Sequence, residues 1–441
     1  MRTKIGAGLG TAAIAIALTI GVPFANGEEN SNEKNPFIGT WELTSDWGKG
    51  EEKGKHILSV NPDLTGTVND VEEDWTSKLR NVELNGEAVS FSFFWGETEE
   101  YEIEFEGAIV DKEITGEYAL FGATAVVLGA PISAAGTPLT ESQRLVQLDP
   151  PTKRPVPMVL DTDTYNEIDD QFALVYALIS PELDVQAVYA APFLNNRSMG
   201  PEKGMEQSYE EILRILGKLD RSPDGFAFKG SRAFIADPRK PEGSPATRDL
   251  IARAQTHSPD NPLYVVAVGA ITNVANALLI EPEILPNIVV VWLGGNGHDW
   301  PKQYEFNYQQ DLHASRTIFD IGVPLVQLPC TPVVTHFTTT VPEMEAHVGG
   351  HGAIGDYLLK IFKDYREDHF AWSKVLWDMT AVAWVINHKW LPSVLVHSPI
   401  VTNDYTYSFD DSRHLIRVVY HLHRDPIFRD FFTKLQKQGK K

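Results

Sequence analysis

Between Asp161 and Asp170 of this 441-residue chain, five side chains are acidic: Asp161, Asp163, Glu167, Asp169 and Asp170. Capping and the helix dipole account cheaply for one acid at the start of a helix. They do not account for Asp161 and Asp163, where like charges repel and raise one another's pKa. A hard cation removes the difficulty, since Ca²⁺ takes roughly six to eight oxygen ligands at about 2.3–2.6 Å. The chemistry open to such a group is activation of water beside a carboxylate base.

The elements that must position these acids can be read around them. The apolar run "VPMVL" reads as a strand ending at Asp161, and Asp169-Asp170 open a helix whose apolar face is Phe172, Val175, Tyr176 and Ile179. Beyond residue 156 further short apolar runs follow: "VQAVYAA", "LYVVAVGA", "NIVVVWLGG" and "VPLVQLP". They alternate with helical stretches such as "EEILRILGKL", where Ile212, Ile215, Leu216 and Leu219 share one face. Continuous apolar strands joined by amphipathic helices predict an α/β domain over 156–441, a mostly parallel sheet with helices on both faces. Ligands of such sheets bind at the carboxyl ends of the strands, where the acidic cluster stands.

Upstream, residues 36–130 alternate apolar and polar side chains, with Asn61-Pro62-Asp63 and Asn85-Gly86 as turns. This predicts a small antiparallel β domain, barrel-like, with Trp41, Phe91, Phe93, Trp95, Ile103 and Phe105 inside. The pattern resembles lipocalin-like modules, and no function is carried over from that. Its run "ETEEYEIEFE" reads as a solvated acidic strand face. The small, polar and Pro-rich stretch 131–155 reads as a linker without periodicity. At the N-terminus, Arg2 and Lys4 precede the apolar run Ile5 to Phe24, followed by Ala25-Asn26-Gly27. Residues 1–27 are therefore expected to be a signal peptide, with 28–35 a flexible polar segment and the product exported, periplasmic or secreted. An uncleaved membrane anchor is the rival reading of the same run.

A net charge of −22 argues against nucleic acid as a partner. Cys330, the single cysteine, can form no intrachain disulfide and follows an apolar run, so a buried structural thiol is expected. Partnership with a second copy of the chain stays open.

Two families open with comparable aspartates. The Asp-x-Asp start of the haloacid-dehalogenase-like phosphatases is matched only loosely; it would imply a nucleophilic Asp and Mg²⁺. Residues 156 to about 435 resemble the inosine-uridine-type nucleoside hydrolases far more fully. "DTDTYNEIDD" keeps that family's four opening aspartates. "VAVGAITNVANALLIEPEILPNIVVVWLGGNG" resembles its Gly-x-Leu-Thr-Asn helix start and Gly-Gly strand. "YEFNYQQDLHASRTIFDIGVPLVQLP" resembles its Glu-Phe-Asn segment, and "WDMTAVAW" its final His-Asp helix start. Motifs in this order form a specific combined signal.

The resemblance implies Ca²⁺ as cofactor and a ribonucleoside as substrate, cleaved to free base and ribose. Asp163, Asp170 and Asp378 would bind the metal through carboxylates and Thr272 through its backbone carbonyl. Asp163 would also be the general base, with Asp161 supporting the cluster from just outside the ligands. Asp169, Glu305 and Asn307 would hold the sugar, with Asn195, or Asn196 beside it, near the 2′-hydroxyl. Asn296 or Asp299 falls where the family has an asparagine for the sugar's 5′ side.

The sequence departs from the family at two places. The loop between Asp163 and Asp169 is longer and reads "TYNEI", with Tyr165 and Glu167 taken as turn residues. Trp377 stands where many members carry a histidine acid; it would stack on the base, slightly favouring purines, or pack in the core. His298 is a candidate replacement acid. A binder that kept the metal and lost leaving-group activation is the reading from another functional class.

Overall fold

Alternation of inward and outward side chains builds the first half of the protein. The computed structural model describes residues 37, 39–47, 54–60, 64–70, 75–96, 100–110, 113–121, 123–131 and 139–439. The expected signal peptide, the polar segment after it and the Asn61-Pro62-Asp63 turn lie outside the described residues. Nine strands follow in order: β1 (Gly39–Asp46), β2 (Gly54–Val60), β3 (Gly66–Asp70), β4 (Thr76–Lys78), β5 (Arg80–Asn85), β6 (Ala88–Phe94), β7 (Glu102–Val110), β8 (Glu113–Leu120) and β9 (Ala123–Pro131). Each pairs antiparallel with its sequence neighbour except across β4/β5, and β9 returns to pair with β1. The sheet curls until the Phe94 amide donates to Ser77 Oγ at 3.0 Å, which brings β6 to β4 and nearly closes a barrel. On β7, Ile103, Phe105 and Ile109 are buried while Glu102, Glu104 and Glu106 face water. Trp41, Phe91 and Phe93 are buried with them, and Trp95 is partly buried against the same core. Gly86 takes a φ of +65° in the turn between β5 and β6, a backbone region that favours glycine.

The 131–155 stretch holds a helix that the sequence reading did not anticipate, α1 (Glu141–Leu148). Thr140 and Gln143 form a reciprocal capping box at its start. Arg144 donates to the Gly322 carbonyl at 2.9 and 3.1 Å, fastening α1 to the α/β domain. The helix has only eight residues, most of them polar, set in a small, polar and Pro-rich stretch.

In that domain the strands are β10 (Val156–Thr162), β11 (Leu183–Ala190), β12 (Ala227–Lys229), β13 (Leu263–Ala267), β14 (Ile288–Leu293), β15 (Leu325–Leu328), β18 (Ser393–His397) and β21 (Leu415–Val419). Their order is β12-β11-β10-β13-β14-β15-β21-β18, all parallel except the edge strand β18. Two short ribbons complete the strands: β16 (Thr338–Thr339) with β17 (Lys374–Val375), and β19 (Ile400–Val401) with β20 (Tyr407–Ser408). The helices are α2 (Asp169–Leu178), α3 (Pro201–Lys218), α4 (Pro245–Ala254), α5 (Thr272–Ile280), α6 (Phe306–Gln310), α7 (Leu312–Asp320), α8 (Val341–His347), α9 (Gly352–Asp364), α10 (Met379–Ile386) and α11 (Arg424–Gln438).

Period-two alternation along β10 feeds two cores. Val156, Met158 and Leu160 join a cluster with α2, α3 and α8 to α11, whereas Val159 joins another with α4, α5 and α7. Both faces of the sheet are thus covered, and β13, β14 and β15 are buried along their whole lengths. Helix α2 differs from its expected one-sided face, because every residue from Asp169 to Leu178 is buried. It packs against β11 and is flanked by α3, α10 and α11. Strand order reverses direction at β10 and β13, a switch point that opens a crevice at their carboxyl ends. No helix among the described residues is long and apolar enough to cross a membrane.

Candidate active site

The switch point gathers the aspartates. β10 carries Asp161 at its end and Asp163 just beyond, α2 carries Asp169 and Asp170 in its first turn, and Asp378 is the residue on which α10 starts. Asp378, the N-cap of α10, makes no side-chain capping bond, and the N-cap of α2 is the apolar Ile168. Elsewhere acids do cap, as Glu305 does for α6 and Asp311 for α7. The N-termini of α2 and α10 place the positive ends of their dipoles at the aspartates.

Asp169, Asp170 and Asp378 each offer a carboxylate oxygen, and these lie within 4.8 Å of one another, all buried. Asp163 is 1% exposed, and neither of its oxygens meets a hydrogen-bond donor. An unpaired carboxylate buried this deeply is costly unless a cation sits beside it. Asp170 accepts from Thr162 Oγ1 at 2.6 Å, and Asp161 accepts from Asn273 Nδ2 at 2.7 Å. Burial raises all five carboxyls. Asp161 and Asp170 are pushed up to about 7 and Asp169 to about 6, with Lys374 opposing the rise at Asp169. Asp163 and Asp378 rise well above the carboxylate range through burial and their charged neighbours. These donors fit a hard divalent cation: oxygen only, crowded, and disfavoured as anions without one.

Gly269, past the end of β13, is where space around Asp163 is tightest. A Cβ there would stand 3.0 Å from Asp163 Cγ and 3.1 Å from Oδ1. The adjacent Val268 amide donates to the Asp161 carbonyl at 2.8 Å, extending the β10–β13 ladder up to the cluster.

A cleft of about 430 Å³ opens over the aspartates. It is lined by Asp163, Asp169, Asp170 and Asp378, and also by Asn195, Asn296, Glu305, Asn307 and Trp377. Asn307 donates to the carbonyls of Val268 and Leu293 at 2.9 and 3.0 Å, which leaves its Oδ1 for a ligand. Glu305 accepts from the amides of Gly295, Asn307 and Tyr308, bonds that counter part of the rise burial causes in its carboxyl. Asn195 donates to Asn166 Oδ1 at 2.7 Å, whereas Asn196 is exposed and does not line the cleft. Asn296 bonds Lys302 O and the Thr331 amide through its side chain, bracing the rim.

Thr272, His298, Asp299 and Asp161 lie outside the lining, Asp161 in the supporting place expected of it. Thr272 is buried with its hydroxyl on Asp311 at 2.8 Å and does not line the cleft; Val268 does. His298 bonds Gln327 at 2.9 Å, packs on Tyr407 and Phe409, and is held below the usual imidazole range by burial. It too lies outside the lining. Asp161 sits behind the cluster, fully buried and outside the lining.

Sequence reasoning missed Lys374. It is buried on β17, paired with Glu167 and 3.6 Å from Asp169. Burial would lower this ammonium's pKa, but Asp169 and Glu167 outweigh it and the pKa is raised. The lengthened loop therefore reaches across to the strand that leads into Asp378. Glu167 and Asn166 line the cleft rather than forming a bare turn, and Arg197 stacks 4.5 Å over the Tyr165 ring. Cys330 is buried, as expected, but at the cleft wall, where burial and Glu305 push its thiol well up. No spacing rule joins residues 207 positions apart, as Glu167 and Lys374 are.

Carboxylates gathered at a parallel-sheet switch point, beneath a polar cleft, make a site for a small polar ligand beside a metal ion. Residues 158–425 match the family described as inosine-uridine preferring nucleoside hydrolase. The chain belongs to that family, and its activity by homology is N-ribosyl hydrolysis. It is 29% identical over 258 residues to the non-specific ribonucleoside hydrolase RihC of Shigella flexneri serotype 5b, covering 52% of this chain and 79% of that one. It is 30% identical over 267 residues to the pyrimidine-specific ribonucleoside hydrolase RihA of Salmonella arizonae, covering 54% and 82%. The structure of a purine-preferring ribonucleoside hydrolase from Gardnerella vaginalis superposes with a TM-score of 0.52 at 22% identity, over 64% of this chain and 99% of that one; it speaks to fold alone.

Proposed function

We propose that this protein hydrolyses the N-glycosidic bond of ribonucleosides, with Ca²⁺ held by Asp163, Asp170 and Asp378. The single observation that carries the reading is Asp163, buried in the cleft with both oxygens unpaired. Thr272 would add its backbone carbonyl, its hydroxyl being taken by Asp311. When bound, the cation supplies orientation of the ribose hydroxyls and a more acidic water.

Asp163 then takes the proton of the attacking water, a step general bases accelerate by about 10²–10⁴-fold. Asp169 accepts a ribose hydroxyl while Lys374 holds its carboxylate from behind. Asn195, Glu305 and Asn307 receive other parts of the sugar. The negative field favours the cationic sugar that forms as the C1′–N bond lengthens. Trp377, half-buried in the cleft wall, offers a face for the base and slightly favours purines. A phosphatase reading is disfavoured because no Lys, Arg or His lines the cleft to receive phosphate. Export follows from the basic-then-apolar start and is tested by locating the protein in cell fractions.

The test is ribose release from a nucleoside panel, with and without chelator, by the full chain and by Asp163→Asn. Calcium-dependent release lost in the variant is expected. Release of phosphate from nucleotides without ribose, or binding without turnover, would displace the proposal.

A further inference from the structure

Resting on the hydrolase reading, the inference concerns which ribosides this cleft serves. Six carboxylates line it (Asp163, Glu167, Asp169, Asp170, Glu305 and Asp378) and no Lys, Arg or His does. They outnumber what one divalent cation neutralises. Lys374 reaches them only from behind, through Glu167 and Asp169. Apart from its carboxyls, the lining carries only two side-chain acids, the Cys330 thiol and the Tyr304 phenol. Trp377 occupies the position next to Asp378, His298 is turned to Gln327, and the Cys330 thiol is committed to Glu305. Tyr304, with its ring on Tyr405 at 5.0 Å, stands 58% exposed at the rim. What the wall does offer is indole faces, Trp377 and the 45% exposed Trp300.

We propose that the preferred substrates are ribosides whose base is already a cation, a pyridinium or an N7-alkylated purine joined to C1′ through nitrogen. Such a base needs no proton to depart. The C1′–N bond breaks, its electron pair stays on nitrogen, and the base leaves neutral. Water forms the new C1′–O bond and gives its proton to Asp163 and then to solvent, so riboside cation plus water yields ribose, neutral base and one proton. A neutral nucleoside leaves its base anionic unless an acid intervenes, and for that the lining offers only the exposed Tyr304 phenol at its rim. The carboxylates attract the cation over distance, and indole faces bind it by cation–π contact.

The calcium-loaded full chain is assayed on matched pairs: N7-methylguanosine with guanosine, and the ribosyl 3-carbamoylpyridinium cation with inosine. Each kcat/KM is divided by the spontaneous hydrolysis rate. The cations should be favoured by about 10²-fold, the scale of one missing general acid. Their KM should rise with ionic strength while that of the neutral partners stays flat. Glu167→Gln should lower the cation-to-neutral ratio several-fold. Equal corrected values within each pair, or no salt effect, overturn the preference and leave the hydrolase reading standing. No turnover of any riboside overturns both.

Discussion

Asp163 is the residue on which the chemistry turns, because it lines the cleft deeply buried with both oxygens unpaired. Asp163→Asn should lower kcat by at least about 10²-fold while the fold persists, as read by ribose release beside circular dichroism. Gly269→Ala should do milder damage by the same route, displacing the Asp163 carboxylate from 3.0 Å. The expected readout is a fall in calcium affinity on isothermal titration with a nearly unchanged melting temperature. The aspartates were legible in the sequence because four acids at one strand-to-helix junction have few other uses. The fate of His298 was not, since its bond to Gln327 and its rings on Tyr407 and Phe409 depend on partners distant in the chain.

At the scale of elements, α2, α10 and the loop between β10 and α2 carry the site, and Lys374 ties them. Its ammonium joins Glu167 on that loop to β17, three residues ahead of Asp378 on the entry to α10. Lys374→Met should destabilise the protein by about 1–3 kcal/mol, the scale of a lost charged hydrogen bond. It should also raise KM for riboside, and Lys374→Arg should recover part of both losses in melting and steady-state assays. The strand run "NIVVVWLGG" announced β14 and the helical stretch "EEILRILGKL" announced α3 by apolar pattern alone. Helix α1 escaped because it is only eight residues long with few apolar ones, and its anchor is the distant Gly322 carbonyl. The one-sided face expected of α2 failed because α3, α10 and α11 pack around it, which no local pattern reveals.

Taken as a whole, the molecule holds a set of buried acids that oppose its own stability without metal. Carboxyls whose folded pKa is raised favour the fold below the unfolded value near 3.8, and that contribution is lost as pH rises through the folded values. For Asp169 the loss runs to about 6, and for Asp161 and Asp170 to about 7. Chelated protein should therefore melt at progressively lower temperature from about pH 4 to pH 7. Calcium should restore the melt most strongly at the upper end, where it no longer competes with protons. The most direct test titrates metal-free protein with calcium while following ribose release from an N7-methylated purine riboside. The account predicts that activity appears with one calcium per chain and that Asp378→Asn neither binds the ion nor turns over. Undiminished ribose release from the chelated protein, or calcium retained in full by Asp378→Asn, would contradict it.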